Sequence, residues 1–278
     1  MTTPDLLQNI DYALLGAGAV LVVGAGIRLG VQNRWRAAIA LPDSQSNRLE
    51  LVDVLFSLLC VFVLPPMAGQ LLGFAGFGVT DGPAKFVSLG IGLALAIAAL
   101  IAIGSSRFEG GLRGWGLTTD RPGRIVRLAL IGYLVAAPIC FAGLKLSTWL
   151  LTRLGHPSPQ HDTIKLLMDP STPPSVKSVA IFHAVILAAL AEELLFRGIL
   201  QPAIAKWSRS PWTGILISGG LFGLIHHPYD DTILPLAAFG IILGFLYAKT
   251  GRLSLAILTH AMFNAKTILW LLLGATPD

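Results

Sequence analysis

Eight long apolar runs, at about 12–31, 51–76, 86–104, 125–151, 178–198, 212–226, 233–249 and 254–274, decide what this chain can become. A helix must hold about 20 mostly apolar residues to cross a hydrocarbon layer about 30 Å thick, because each residue rises about 1.5 Å. Six of the runs meet that length, while the sixth and seventh are short enough to be half-spans or tilted elements. Polar or Pro/Gly-rich segments separate them, and such segments cannot lie in hydrocarbon with their backbone unpaired. Only 13% of the 278 residues are charged against 54% hydrophobic, half the charge of an ordinary soluble domain. The expectation is an all-α, polytopic integral membrane protein of about eight transmembrane helices.

Charge then orients the helices. With the N-terminus outside, alternate loops carry Arg28, Arg34, Arg36 and Arg48; Arg107, Arg113, Arg121, Arg124 and Arg127; Lys206 and Arg209; and Lys249 and Arg252. Opposite them stand only Lys85, Arg153, Lys165 and Lys177. The positive-inside rule therefore puts both termini outside. The first eleven residues carry Asp5 and Asp11 and no Lys or Arg, so the first run reads as a retained span and not a cleaved signal peptide. The net charge of +5 lacks the basic, aromatic-interleaved stripe of a nucleic-acid binder. Cys60 and Cys140 each sit in an apolar run, and no disulfide is expected. The proline-rich segment 152–177 separates four helices in 1–150 from four in 178–274, all within a single transmembrane domain spanning 1–278; no internal repeat relates the halves.

Ionisable residues within a span are costly and therefore functional candidates. Asp53 and Lys145 lie near span ends and can snorkel to an interface. The fifth run differs, because it sets Glu192, Glu193 and Arg197 in an otherwise apolar helix. Glu193 and Arg197 are four apart, in the favourable order for an intrahelical ion pair. Glu192 points about a quarter-turn away, free to face a cavity as a general base. The competing reading is a helix end whose charges reach the interface. His226 and His227 end the sixth run, and His260 and Asn264 share a face of the eighth, where they could equally be interhelical glue. His183, nine residues before Glu192, falls about half a turn away and is expected to face elsewhere.

The ordered set Glu192-Glu193-x-x-x-Arg197, Phe222-x-x-x-His226 and His260-x-x-x-Asn264 resembles the CAAX-protease and bacteriocin-processing (CPBP, Abi) intramembrane endopeptidases, which include the type II CAAX prenyl endopeptidase. The resemblance covers about 178–274 and places the catalytic core in helices 5–8. It implies that Glu192 with His226 activates a water, that His260 and Asn264 stabilise an oxyanion, and that Glu193, Arg197 and Phe222 support them. It also leaves open a metalloprotease with zinc on Glu192, His226 and His260, although no HExxH is present. The substrate class implied is a membrane-associated or prenylated protein, or a leader peptide, cleaved in a bacterial cell membrane without nucleic acid as a partner. The alternatives are a proton-coupled transporter using the same residues as a relay, or a catalytically silent immunity or scaffold protein. For His226 to approach Glu192, the sixth helix should be short and tilted, with HHPYDD as irregular backbone lining protein and not lipid.

Overall fold

The computed structural model describes residues 3–42, 45–76 and 82–274. Its helices are α1 (Thr3–Val31), α2 (Trp35–Ile39), α3 (Leu51–Phe74), α4 (Gly82–Arg107), α5 (Gly111–Gly114), α6 (Pro122–Arg153), α7 (Asp162–Met168), α8 (Pro174–Ser208), α9 (Pro211–Leu224), α10 (Asp230–Thr250) and α11 (Leu253–Leu272). Among the described residues there is no strand, only an isolated bridge between Asn47 and Phe108. Seven helices (α1, α3, α4, α6, α8, α10 and α11) are long and apolar enough to cross a membrane. The chain is an all-α polytopic membrane protein. The run that falls short among the eight expected is the sixth, which becomes the 14-residue α9, about 21 Å long and so shorter than the hydrocarbon layer. The seventh run, short in sequence, lengthens to 21 residues because the helix takes in the acidic first turn Asp230–Asp231 and the last turn through Thr250.

The loops that charge assigns to one side do gather at one end of the bundle. Arg48 donates its N–H to Arg107 O at 2.7 Å, Lys206 Nζ to Leu49 O at 2.9 Å, Gln45 Nε2 to Gly251 O at 3.1 Å, and Arg252 to Asp120 O at 3.0 Å. At the other end the Asp162 N–H meets the Tyr229 hydroxyl at 3.3 Å, which joins the 154–161 connection to the α9–α10 turn. Asp53 opens α3 through a capping box with Glu50 and pairs with Arg107 at 3.0 Å, a structural role consistent with its position near a span end.

The principal departure from the sequence reading is the length of α8, which runs for 35 residues where 178–198 was expected. Pro202 suggests a stop, since it has no N–H to give the carbonyl four residues back and its ring crowds that carbonyl. A π turn over Phe196–Leu200 widens the helix just before Pro202, with Gln201 N–H bonding five back to Phe196 O. The Gly198 carbonyl, which Pro202 cannot serve, accepts instead from Trp115 Nε1 at 2.6 Å, and Ser218 Oγ donates to Phe196 O at 3.0 Å. Trp115 is fully buried and pressed so closely that a Cβ on Gly104 or Gly198 would overlap its ring. The extension moves Glu192, Glu193 and Arg197 from a helix end to the middle of α8, and it overturns the reading of these charges as snorkelling to an interface.

α9 and α10 form a tight antiparallel hairpin whose seam is glycine. Gly219 and Gly223 on α9 face Gly240 and its neighbours on α10; a Cβ on Gly240 would come within 2.9 Å of Gly219 Cα, and one on Gly219 within 2.8 Å of Ile241 N. Backbone contact of this kind is how membrane helices gain packing energy where lipid offers no hydrophobic drive. Replacing Trp115 with Phe keeps an aromatic ring but removes the indole N–H and part of the buried volume, stranding the Gly198 carbonyl, so a loss of at least about 1–3 kcal/mol is expected in detergent unfolding of the variant. A change below about 0.5 kcal/mol would contradict this account of α8.

Candidate active site

The centre of the second half is a set of charges with no access to solvent. Glu193 and Arg197 are both fully buried on α8, and Arg197 Nη1 donates to Glu193 Oε1 at 2.7 Å. Its Nη2 donates to Gly240 O on α10 at 3.0 Å, and the guanidinium lies 4.4 Å from the centroid of the Phe222 ring of α9. Four residues on, Gln201 Nε2 repeats the move to Gly244 O at 3.0 Å. Glu193, Arg197 and Gln201 thus form one stripe at helical spacing that binds α8 to the backbone of α10. Paired and hydrogen-bonded, the charges escape the desolvation cost that either alone would meet.

α11 brings His260 to this pair. His260 is buried, with Nδ1 2.8 Å from the same Glu193 oxygen that Arg197 holds. An ionised carboxylate only accepts, so Glu193 assigns the proton to Nδ1 and turns Nε2 the other way. Nε2 lies 3.9 Å from Glu192 Oε2. That gap is too long for a direct hydrogen bond and suits one bridging water. The His260 ring is held edge-on by Phe222 at 5.6 Å and by Phe239 at 5.5 Å. Phe222 also meets the His226 ring at 5.2 Å, so one aromatic side chain touches both imidazoles and the guanidinium.

Glu192 projects away from the buried stripe, as the quarter-turn between successive residues requires, and lines a cavity of about 210 Å³ bounded by α3, α4, α8 and Ile225. Its walls are apolar apart from Glu192 and His183. The expectation for His183 is overturned, and the reason is local. A second π turn, His183–Ala188, lies between the two residues. Each π step rotates the chain by less than the α-helical step of about 100°, so the nominal half-turn closes and both side chains face one chamber. Asn264 holds this turn in place, donating Nδ2 to Ala184 O at 2.9 Å.

His226 follows the last turn of α9, half-buried, with Nδ1 2.8 Å from Phe222 O. The HHPYDD turn is covered on one side by protein: His161, the N-cap of α7, lays its ring on Tyr229 at 4.3 Å. His227 pairs with Asp230 at 2.8 Å and is exposed. Among the described residues no three His, Cys, Asp or Glu side chains are grouped closely enough to hold a metal ion. Glu192 and His260 approach one another at 3.9 Å, but His226 is not grouped with them, so these donors as placed do not form a three-ligand zinc site. Sequence reasoning missed His183, Gln201 and Trp115. Gln201 was legible as the next step of the 193–197 stripe once α8 continues, whereas Trp115 carried no local signal.

Residues 174–266 match the family described as "Type II CAAX prenyl endopeptidase Rce1-like". The chain is 32% identical over 84 residues to the "Putative membrane peptidase YdiL" of Bacillus subtilis (strain 168), an overlap of 30% of this chain and 34% of that protein. It is 34% identical over 99 residues to an "Uncharacterized 24.3 kDa protein" of Escherichia coli, an overlap of 34% of this chain and 45% of that protein. The alignments thus span a third to under a half of these relatives' lengths. No solved structure matches. The family match falls on the half that carries the buried pair, Glu192, His226 and His260.

Two outcomes test this geometry. Arg197→Met leaves Glu193 as an uncompensated buried charge, with an expected loss of about 3–5 kcal/mol, and Glu193→Gln together with Arg197→Met should recover much of it; unfolding in detergent measures both. The α7 cap should respond to acid. Burial, reinforced by the nearby His226, pushes the His161 imidazole below its ordinary 6.5. Its contribution is therefore present above the unfolded value and lost as pH falls through the lower folded one. Protonation also removes the Nδ1 lone pair that accepts Thr163 N–H. Limited proteolysis between 154 and 173 should rise as pH falls below about 6 in the wild type, and a His161→Ala variant should show no such step.

Proposed function

We propose that this protein is an intramembrane endopeptidase in which Glu192 and His260 together hold and activate a water. The observation that carries the reading is the 3.9 Å interval between Glu192 Oε2 and His260 Nε2, at the wall of an apolar chamber, with the imidazole fixed from behind by the buried Glu193–Arg197 pair. A water in that interval meets two acceptors, one for each proton, and keeps a lone pair for a peptide carbonyl. When Nε2 takes the proton from the attacking water, His260 becomes an imidazolium whose Nε2–H donates to the oxyanion just formed. The proton then passes to the leaving amine nitrogen. His260 therefore serves the oxyanion only after it has served as base, because Glu193 holds its other proton on Nδ1.

In this reading Glu193 and Arg197 are positioning residues. Asn264 works through the π turn, keeping one amide N–H on Ala184 O, and His226 follows the chamber-lining Ile225 with its Nδ1 on Phe222 O. The likeness of residues 174–266 to a prenyl endopeptidase family supports peptide-bond hydrolysis and suggests a membrane-associated substrate, with lipid-modified or leader peptides as the class to try. The basic loops support an orientation with their shared end in the cytoplasm of a bacterial cell and both termini outside.

Cleavage of a membrane peptide by purified protein in bilayer discs is the test. Removing a general base costs about 10²–10⁴ in rate, so Glu192→Gln and His260→Ala should each lose that much in kcat while still binding peptide. Full activity in either variant overturns the mechanism, and a chelator-sensitive activity restored by zinc would replace it with a metal one.

A further inference from the structure

His183 lines two spaces at once. One is the chamber that holds Glu192; the other is a cleft of about 320 Å³ between α4 and α8, walled by Val87, Ile91, Val179, Phe182 and Leu187. Glu192 and His183 are the only polar residues lining the chamber, and His183 is the only ionisable one lining the cleft. Among the described residues its half-buried imidazole forms no side-chain hydrogen bond. Nine residues of helix put it about 13 Å along α8 from Glu192, a distance that an extended peptide covers in about four residues. A peptide bound in an apolar groove has no water to satisfy its backbone, and every carbonyl left bare there costs free energy.

We propose that His183 is a substrate-positioning residue: it donates a hydrogen bond to a backbone carbonyl about four residues from the scissile bond of an extended apolar peptide, which continues from the Glu192 chamber into the α4–α8 cleft. This rests on the proteolytic reading and adds a substrate class to it, namely apolar segments able to unwind over about eight residues. The π turn at His183–Ala188 is what makes the contact geometrically available, since a regular helix would aim the imidazole at the opposite side. Asn264, through Ala184 O, ties that turn to α11, which also carries His260, so the reader of the peptide and the water site are held by one helix.

The cleft can be closed without disturbing the chemistry. A Cβ on Gly90 meets only Leu187 Cδ1, at 3.7 Å, an ordinary contact, so Gly90→Phe fills the cleft from α4 at a residue that lines the cleft and not the chamber. The experiment uses the full chain in bilayer discs and two fluorescent apolar peptides, one long enough to reach from Glu192 through the cleft and one ending short of His183. Binding is measured in a Glu192→Gln background, where no turnover is needed, and cleavage in the otherwise native protein. For the long peptide, His183→Ala should weaken binding roughly three- to tenfold, the worth of one hydrogen bond, with KM rising and kcat kept; His183→Gln should recover part of the loss. Gly90→Phe should weaken the long peptide at least as much. The short peptide should be indifferent to both changes. Equal affinities for the long peptide across wild type, His183→Ala and Gly90→Phe overturn the assignment of His183, whether or not cleavage occurs. Absence of cleavage by wild type, with the binding differences present, overturns the proteolytic reading and leaves the binding groove standing.

Discussion

The fold of the second half depends on the Glu193–Arg197 pair, because two charges at zero exposure need each other and neighbouring polar groups in place before the helices can close around them. Arg197 spends one nitrogen on Glu193, another on a backbone carbonyl of α10 and its flat face on a ring of α9. Each of those partners imposes a demand on the helix that supplies it. Gly240 is glycine where a Cβ would press both on Arg197 Nη2, at 3.0 Å, and on Gly219, and the glycine seam of α9 and α10 is the condition for that approach. The ion pair and the seam are therefore one device, in which small residues bring the backbone near enough to be a ligand for a side chain.

In the proposed mechanism the same pair governs the chemistry without touching it. Glu193 gives one oxygen to both Arg197 and His260, and the cation keeps that carboxylate an acceptor. An acceptor behind Nδ1 leaves Nε2 as the active nitrogen and points it at Glu192. Successive residues of a helix diverge by about 100°, so one glutamate can be locked in the core while its neighbour stands at a cavity wall. Two adjacent carboxylates with different surroundings and different work are thus an outcome of helix geometry.

Helical periodicity made much of this legible from sequence: the spans, the Glu193–Arg197 pair, the outward turn of Glu192 and the shared face of His260 and Asn264 all follow from a 3.6-residue period. What escaped lies where that period fails. π turns at 183–188 and 196–200 alter the angular bookkeeping of α8, and they explain both the misplaced His183 and the helix that runs past Pro202. Trp115 escaped for another reason: its worth lies in a carbonyl 83 residues away in the chain, which no local pattern encodes. For Asn264 the family resemblance implies an oxyanion donor and position alone allows interhelical glue; its side chain bonds Ala184 O of α8.

π turns carry a cost in hydrogen-bond geometry, and in lipid that cost is met only if other groups take up the strained carbonyls. Here Trp115, Ser218 and Asn264 each donate to a carbonyl in one of the two turns, from three different elements of the fold. The turns flank the Ala189–Leu195 segment that bears both glutamates. Regular helix between two irregular turns fixes the relative azimuth of Glu192 and Glu193, while the irregular turns set independently what lies above and below them. α8 is thereby divided into a face that holds the bundle together and a face that addresses the cavity. The first-half helices α3 and α4 matter to that second face, since Val61, Pro65, Leu89 and Leu93 supply the chamber's remaining apolar wall. A carboxylate opposite such a wall is kept from bulk water on one side and supplied with an imidazole on the other, which is why the proposed mechanism places its water there.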